Sequence, residues 1–279
     1  MVKVVTDSCS DLPPGVAKEL GISIVPLNVY FGDESFKDGV DISAEEFYER
    51  LIKGPTLPKT TAPAPGAFVE TYDELASDAD GIISIHISKK LSGTYDSALL
   101  AKQQLSKKIL VEVIDSLTVS TAEGLLVIKA AQAAREGASL SEIMNSIKTT
   151  VPRTHLLFLL DTLEYLHKGG RLGKAQALLG SMLNIKPLLH IHDGEVHPLE
   201  RVRSRQKAVS RLIELTKQYT PLEEMALLYT TDPSELDTLE KDLANLAPRS
   251  KALRARIGPT IGTYGGPQAV AVALIEKEK

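Results

Sequence analysis

The sequence predicts an α/β protein of two domains: an N-terminal domain with a parallel sheet of βαβ units, and a C-terminal α/β domain. In the first half, the strand-sized apolar runs "VKVVTDS", "GIISIHIS" and "ILVEVIDS" alternate with helical stretches. That is the pattern of parallel strands joined by crossovers. In the second half, a hairpin signal around Asp193-Gly194 points to antiparallel pairing. The length, 279 residues, suits one or two domains of about 100–200 residues each. A boundary near Val151 divides the chain into residues 1–151 and 152–279.

The first domain opens with "VKVVTDS", a buried strand ending on Thr6, Asp7 and Ser8. "PPGVAKELG" is a helix, with prolines suited to its start and Gly21 as its stop. "ISIVPLNVYFG" reads as a second strand. "DISAEEFYERLIKG" is a helix capped by Ser43, with Glu46 three residues on to complete a capping box. Next come the helix "PGAFVETYDELAS", the strand "GIISIHIS", the helix "GTYDSALLAKQQL" and the strand "ILVEVIDS". "STAEGLLVIKAAQAAREG" is a long apolar helix, and "SLSEIMNSIKTTVP" is one more, stopped before Pro152.

In the second domain, "HLLFLLDTLEYLHKGG" is a strand that turns at a glycine pair, and "RLGKAQALLGSMLNI" is an amphipathic helix. "KPLLHIHDGEVHPLERVR" is the hairpin. "SRQKAVSRLIELTKQY" is a helix, "EMALLYTTD" a strand and "SELDTLEKDLANLAP" a helix. "ALRARIGPTIGTYGGPQAVAVALI" closes the chain as two strands around a glycine-rich turn.

Composition narrows the function. A net charge of −4 argues against a nucleic-acid surface. The lack of Trp, with 5% aromatic residues, argues against stacking platforms for bases or sugars. No apolar run reaches the roughly 18 residues needed to span a bilayer. The first residues begin a strand at once, with no signal-peptide core, so a cytoplasmic protein is expected. With Cys9 as the one cysteine, an internal disulfide framework is ruled out.

Four polar stretches stand at expected strand ends: Thr6-Asp7-Ser8, Thr60-Thr61, Ser92-Gly93-Thr94 and Asp115-Ser116. Open α/β sheets bind ligands there. Ser92-Gly93-Thr94 also precedes a helix, whose free N–H groups and dipole favour an anion. The plainer reading makes Ser92 an N-cap only. "KTTAPAPG" is either a rigid connector or a loop that offers Thr60 to the same anion. "HKGGRLGKAQ" groups Lys168, Arg171 and Lys174 but lacks the spacing of a phosphate-binding P-loop. Arg201, Arg203 and Arg205 alternate as a one-sided basic strip, which is either a partner surface or a charged edge strand. His190, His192 and His197 cluster without a carboxylate or cysteine at ligand spacing, so zinc is disfavoured. A hydrolase or transferase built on Asp7, Ser8, Cys9 and Asp115 is the competing reading, although no nucleophile elbow is present.

Taken together, "VVTDSCSDLP", "PKTTAPAPGAF", "ISKKLSGTYDSA", "EVIDSLTVSTAEGLLV", "YLHKGGRLGKAQALLGSMLNIKPLL" and "GPTIGTYGGPQAVAVAL" resemble the DegV family of fatty-acid-binding proteins. The resemblance spans nearly the whole chain in order. It implies a DegV-like fold with an apolar tunnel between the domains, a long-chain fatty acid as ligand, no cofactor and no ATP site. It also implies that the bound acid is presented to a separate bacterial fatty acid kinase, which makes acyl phosphate for phospholipid synthesis. Carried over by motif, Thr60 and Ser92 bind the carboxylate, with Thr61, Gly93 and Tyr264 beside them. Arg171, Arg201 and Arg203 look like the partner surface. Two departures stand out: Thr60-Thr61-Ala62-Pro63 replaces the family's Thr-Ser-Gln-Pro, and Gly262-Thr263-Tyr264 replaces Gly-Thr-His. The lining is expected from Ile24, Leu27, Val29, Ile87, Leu178, Leu179, Met182, Leu183 and Ile185, each of which also suits an ordinary core.

Overall fold

A computed structural model describes residues 1–181, 185–246 and 252–278. Met182 and Leu183, two of the expected lining residues, lie outside the described residues, as does the side chain of Leu179. The first 150 residues run β1 (Val2–Asp7), α1 (Pro14–Leu20), β2 (Ile22–Val25), β3 (Asn28–Phe31), β4 (Glu34–Lys37), α2 (Ala44–Lys53), β5 (Lys59–Thr61), α3 (Pro65–Leu75), β6 (Gly81–His86), α4 (Thr94–Gln103), β7 (Val111–Asp115), α5 (Thr121–Arg135) and α6 (Leu140–Thr150).

β2, β1, β6 and β7 pair in that order as a parallel sheet. Every residue of β6 is buried. Ile82 packs with Phe68 and Tyr72 of α3 on one face. Ile83 and Ile85 pack with Leu126 and Ile143 of α5 and α6 on the other. Burial on both faces is why "GIISIH" does not alternate with polar residues.

One expected strand is two. "ISIVPLNVYFG" breaks at Pro26, since proline has no N–H to give to a ladder. β3 then leaves the parallel sheet and forms a separate antiparallel sheet in the order β4, β3, β5. Thr60 and Thr61 therefore sit inside β5, paired with Val29 and Asn28. They are held by a ladder, not by an open connector.

The second half runs β8 (Thr154–Leu159), α7 (Glu164–Lys168), β9 (Lys186–His192), β10 (Glu195–Val202), α8 (Arg205–Thr216), β11 (Leu222–Tyr229), α9 (Ser234–Leu243), β12 (Leu253–Arg256), α10 (Pro259–Gly265) and β13 (Val270–Glu276). Its sheet has the order β10, β9, β8, β13, β11, β12 and is antiparallel except between β11 and β12. Asp193 and Gly194 turn the β9–β10 hairpin with φ of 48° and 77°, as a type I′ turn requires. Gly173–Ser181 winds as a 3₁₀ helix, not the expected amphipathic α-helix.

The closing segment differs most from expectation. β12 and β13 are not neighbours, and α10 lies between them in sequence. Pro259 starts this helix at a position proline favours. Its glycines suggested a turn, but Gly262 serves close packing: a Cβ there would lie 2.5 Å from the Tyr48 hydroxyl.

β8 and β13 are the central strands and are buried on both faces. Leu157, Leu159, Val270, Val272 and Leu274 pack outward with Leu212 of α8 and Leu236 and Leu239 of α9. Leu156, Ala271, Ala273 and Ile275 pack inward, toward the first half. β13 thus places alanine inside at 271 and 273 against branched residues outside, and its inner face stands low there.

Candidate functional site

A cavity of about 360 Å³ lies on that inner face. From the first half its wall takes Leu27, Ile87, Leu91 and Val119, and from the second Leu156, Phe158, Leu160, Ile191, Ala269 and Ala271, among others. The volume falls within the roughly 300–1,000 Å³ usual for small-molecule sites. Of the expected lining, Leu27 and Ile87 are in the wall. Ile24 is exposed. Val29 packs in a separate core with Phe47, Tyr48 and Leu51. Leu178 is buried in the core beside the cavity, and Ile185 is half-buried; neither is a wall residue. β8 supplies Leu156 and Phe158, and Leu160 follows directly after it; sequence reasoning missed them because "HLLFLL" is apolar at every position after His155 and hides its two faces.

One part of the wall is polar. Thr60, Thr61, Ala62, Ser92, Gly93, Arg171 and Tyr264 meet there, although they come from four separate stretches of chain. Thr60 Oγ1 and the Tyr264 hydroxyl are 2.7 Å apart, so one hydroxyl donates to the other. Ser92 Oγ and Thr94 Oγ1 lie 2.9 Å apart. Ser92 is not the N-cap of α4; Gly93 is, and the Thr94 amide reaches Ser92 Oγ only at 3.4 Å. That is longer than a good N–H···O bond, so the Ser92 hydroxyl meets the Thr94 side chain and does not cap the helix backbone.

Arg171 belongs to this polar wall. Its guanidinium donates to the carbonyls of Leu91 at 3.2 Å and Gly169 at 2.8 Å. It also stacks 5.1 Å from the centre of the Tyr264 ring. One edge of the ring lies against the Gly169 turn, where a Cβ would come within 2.5 Å of it. An Arg, a Tyr, a Thr and a Ser converging on one end of an apolar cavity can orient a single anionic group and leave a long apolar body in the cavity.

The other basic residues sit elsewhere. Arg201 and Arg203 are exposed, Arg201 on β10 at the edge of the sheet, where it donates to the Ala177 carbonyl at 3.0 Å. Arg205 does not extend their strip: it starts α8 and pairs with Glu235. The strip ends because the strand ends at Val202. Lys168 pairs with Glu164. His190, His192 and His197 do cluster, with ring centres 5.8, 5.9 and 5.2 Å apart. Burial and the two neighbouring rings push His190 down to about 4. No group among the described residues is arranged to hold a metal ion.

The residues of the competing hydrolase reading are taken up in the scaffold, although Asp115 Oδ2 has no partner among the described residues. Asp7 accepts from the amides of Cys9 at 2.9 Å and Ile87 at 3.2 Å, and pairs with His86 at 2.9 Å. Ser8 Oγ accepts the Leu27 amide at 3.1 Å. Asp115 accepts the amides of Lys89 and Leu117. Cys9 reaches the cavity wall, but burial, then Asp7 and Glu123, push its thiol well up. It stays a thiol, not the thiolate a nucleophile needs. A Ser84–His86–Asp7 chain has the contacts of a catalytic triad, 2.7 and 2.9 Å long. All three side chains are fully buried, and none is a wall residue. The Tyr72 hydroxyl also donates to Ser84. The chain braces the ends of β1 and β6 and has no access to a substrate.

Comparison with known proteins decides the family. The model of the DegV family, described as uncharacterised proteins, matches residues 1–277. The chain belongs to the DegV family. A DegV domain-containing protein of Caldanaerobacter subterraneus is 39% identical over 280 residues, which is 99% of each chain. Among solved structures, a DegV family protein from Thermus thermophilus, described for its fatty acid binding, superposes with a TM-score of 0.92 at 32% identity, covering 99% of each chain. Bacillus subtilis DegV, described as a fatty acid binding protein, gives 0.90 at 32% identity with the same coverage. A stearic acid-binding protein from Eubacterium ventriosum gives 0.92 at 26% identity, again over 99% of each chain. No helix among the described residues is long and apolar enough to cross a membrane.

Proposed function

We propose that this DegV protein binds one long-chain fatty acid, with its tail in the cavity between residues 1–151 and 152–279 and its carboxylate at Thr60, Thr61, Ser92, Gly93 and Tyr264. The observation that carries the reading is the 2.7 Å Thr60–Tyr264 hydroxyl pair at the polar end of a mostly apolar cavity. The solved relatives described as fatty-acid-binding support it. If the Thr60 proton goes to the carboxylate, its oxygen can still accept from Tyr264, so the two hydroxyls form a relay. The tail supplies the affinity. About fifteen carbons at roughly 0.8 kcal/mol each give on the order of 12 kcal/mol before ordering costs.

The same reading makes the protein a lipid-presenting subunit of the bacterial cytoplasm and not itself an enzyme. It would offer the carboxylate to an ATP-dependent fatty acid kinase, whose acyl phosphate feeds phospholipid synthesis. Arg171, Arg201 and Arg203 would meet that partner. Organic extraction and mass spectrometry of the purified protein should yield one fatty acid per chain. Absence of lipid, together with no uptake of palmitate or oleate after delipidation, would sink the proposal. Arg201→Glu with Arg203→Glu should abolish kinase-dependent phosphorylation of the bound acid and leave uptake intact; lost uptake would put the strip at the cavity instead.

A further inference from the structure

α10 is a wall of the cavity through Thr260, Ile261, Tyr264 and Gly265. Its start is fastened to the first half of the chain by three hydrogen bonds. The Gly258 amide donates to Asp11 Oδ1 at 2.8 Å. The Thr260 amide donates to Asp38 Oδ2 at 3.1 Å. The Tyr48 hydroxyl donates to the Ile257 carbonyl at 3.0 Å. The amides at a helix start have no partner within the helix, and here two carboxylates from a distant part of the chain take them.

The arrangement is costly. Asp11 and Asp38 are 8% and 5% exposed. Asp11 has a φ of 47°. Ser120 donates to Asp11 from a φ of 59° and ψ of −152°, a region nearly reserved for glycine. At Gly258 a Cβ would lie 2.9 Å from Asp11 Oδ1, so a side chain there would push against the carboxylate. Strained backbone and two buried acids are gathered around the start of one short helix that faces the cavity. Four residues after Thr260, one turn along, that helix presents Tyr264 to Thr60.

We propose that Asp11 and Asp38 are positioning residues that latch α10 across the cavity and so set the rate at which ligand enters and leaves. This rests on the fatty-acid reading above. With the latch made, α10 holds Tyr264 against Thr60 and closes the cavity between the halves. With it broken, the helix start carries unpaired amides and the wall opens.

Stopped-flow displacement of cis-parinaric acid by excess palmitate reads this rate directly. Asp38→Ala removes the acceptor of the Thr260 amide and should speed release about tenfold, as expected for loss of a hydrogen bond to a charged group. Asp38→Asn keeps an acceptor oxygen and should release within about threefold of wild type on the same scale. Leu239→Ala, in the core under α9 and away from the cavity, should lower Tm and leave the release rate unchanged. A wild-type rate in Asp38→Ala would overturn the latch, and so would equal acceleration by Leu239→Ala. Wild-type protein that takes up no probe would instead sink the fatty-acid reading.

Discussion

Replacing Tyr264 by Phe removes one hydroxyl and little else. The ring keeps its seat on the Gly169 turn and its stack under Arg171. What is lost is the 2.7 Å bond to Thr60. A neutral hydrogen bond of this kind contributes about 1 kcal/mol net, which weakens binding about fivefold. Thr60→Val removes the group that would donate to the carboxylate. A bond to a charged group contributes about 1.5–3 kcal/mol, so the expected loss is roughly 10- to 150-fold. In a relay the tyrosine acts only through the threonine. The double variant should therefore bind about as weakly as Thr60→Val alone, and the coupling should appear as non-additivity. Equilibrium titration with cis-parinaric acid measures all four proteins. Additive losses would mean two independent contacts and would refute the relay, as would a Tyr264→Phe variant that binds like wild type. Tyr264→His should add a pH dependence near 6–7.

Gly169→Ala places a Cβ 2.5 Å from the Tyr264 ring, so the ring must shift; fatty-acid affinity should fall at least as far as in Tyr264→Phe, measured by the same titration. Ala271→Leu adds three carbons to the low inner face of β13, and stearate should lose about 2 kcal/mol of affinity while laurate is nearly unaffected; equal losses for both chain lengths would mean that Ala271 does not bound the tail. Asp38 is pushed up to about 6 from 3.8, first by burial, so the folded protein holds a proton between about pH 4 and 6 that the unfolded chain has released. The stability this gives is present below about pH 4 and is lost as pH rises through 6, about 3 kcal/mol in all. Urea denaturation should then find Asp38→Asn up to about 3 kcal/mol more stable than wild type at pH 7 and equal to it near pH 4, whereas an equal difference at both pH values would refute the raised acid.

The parallel sheet was legible because its strands are apolar runs between helices with clear ends: Gly21 ends α1 in a left-handed conformation, and the α6 start carries a full capping box, Ser139 with Glu142, that sequence reading did not single out. Ser43 also caps α2 through the Glu46 amide. β3 and β5 were obscured because three- and four-residue strands carry too little periodicity. α10 was hidden by glycines that serve packing and not turning. Single residues of the head-group cluster could be picked out at polar turns, but their convergence could not, since Thr60 and Tyr264 are 204 positions apart. Motif resemblance supplied that pairing where periodicity could not. Asp7 stood out at a strand end, but its partners Ser84 and His86 escaped notice because they alternate with isoleucines in a strand that reads simply as buried.

Several polar contacts around the cavity cross from one half of the chain to the other. Thr60 meets Tyr264, and Arg171 meets the Leu91 carbonyl. Ser88 donates to the Gly194 carbonyl at the tip of the β9–β10 hairpin, and Lys90 pairs with Glu195 beside it. Asp11, Asp38 and Tyr48 hold the start of α10. Around the cavity itself, both walls are apolar and neither fills the space between them. A fatty acid in that space would add apolar contact to both halves at once, while its carboxylate would join a relay built from both. Binding and closure are then one event. A ligand that prefers the closed form stabilises it by about 2.7 kcal/mol at a hundred times its Kd. That is comparable to what a single hydrogen bond to a charged group contributes, which is why the few bonds at the start of α10 are enough to govern exchange.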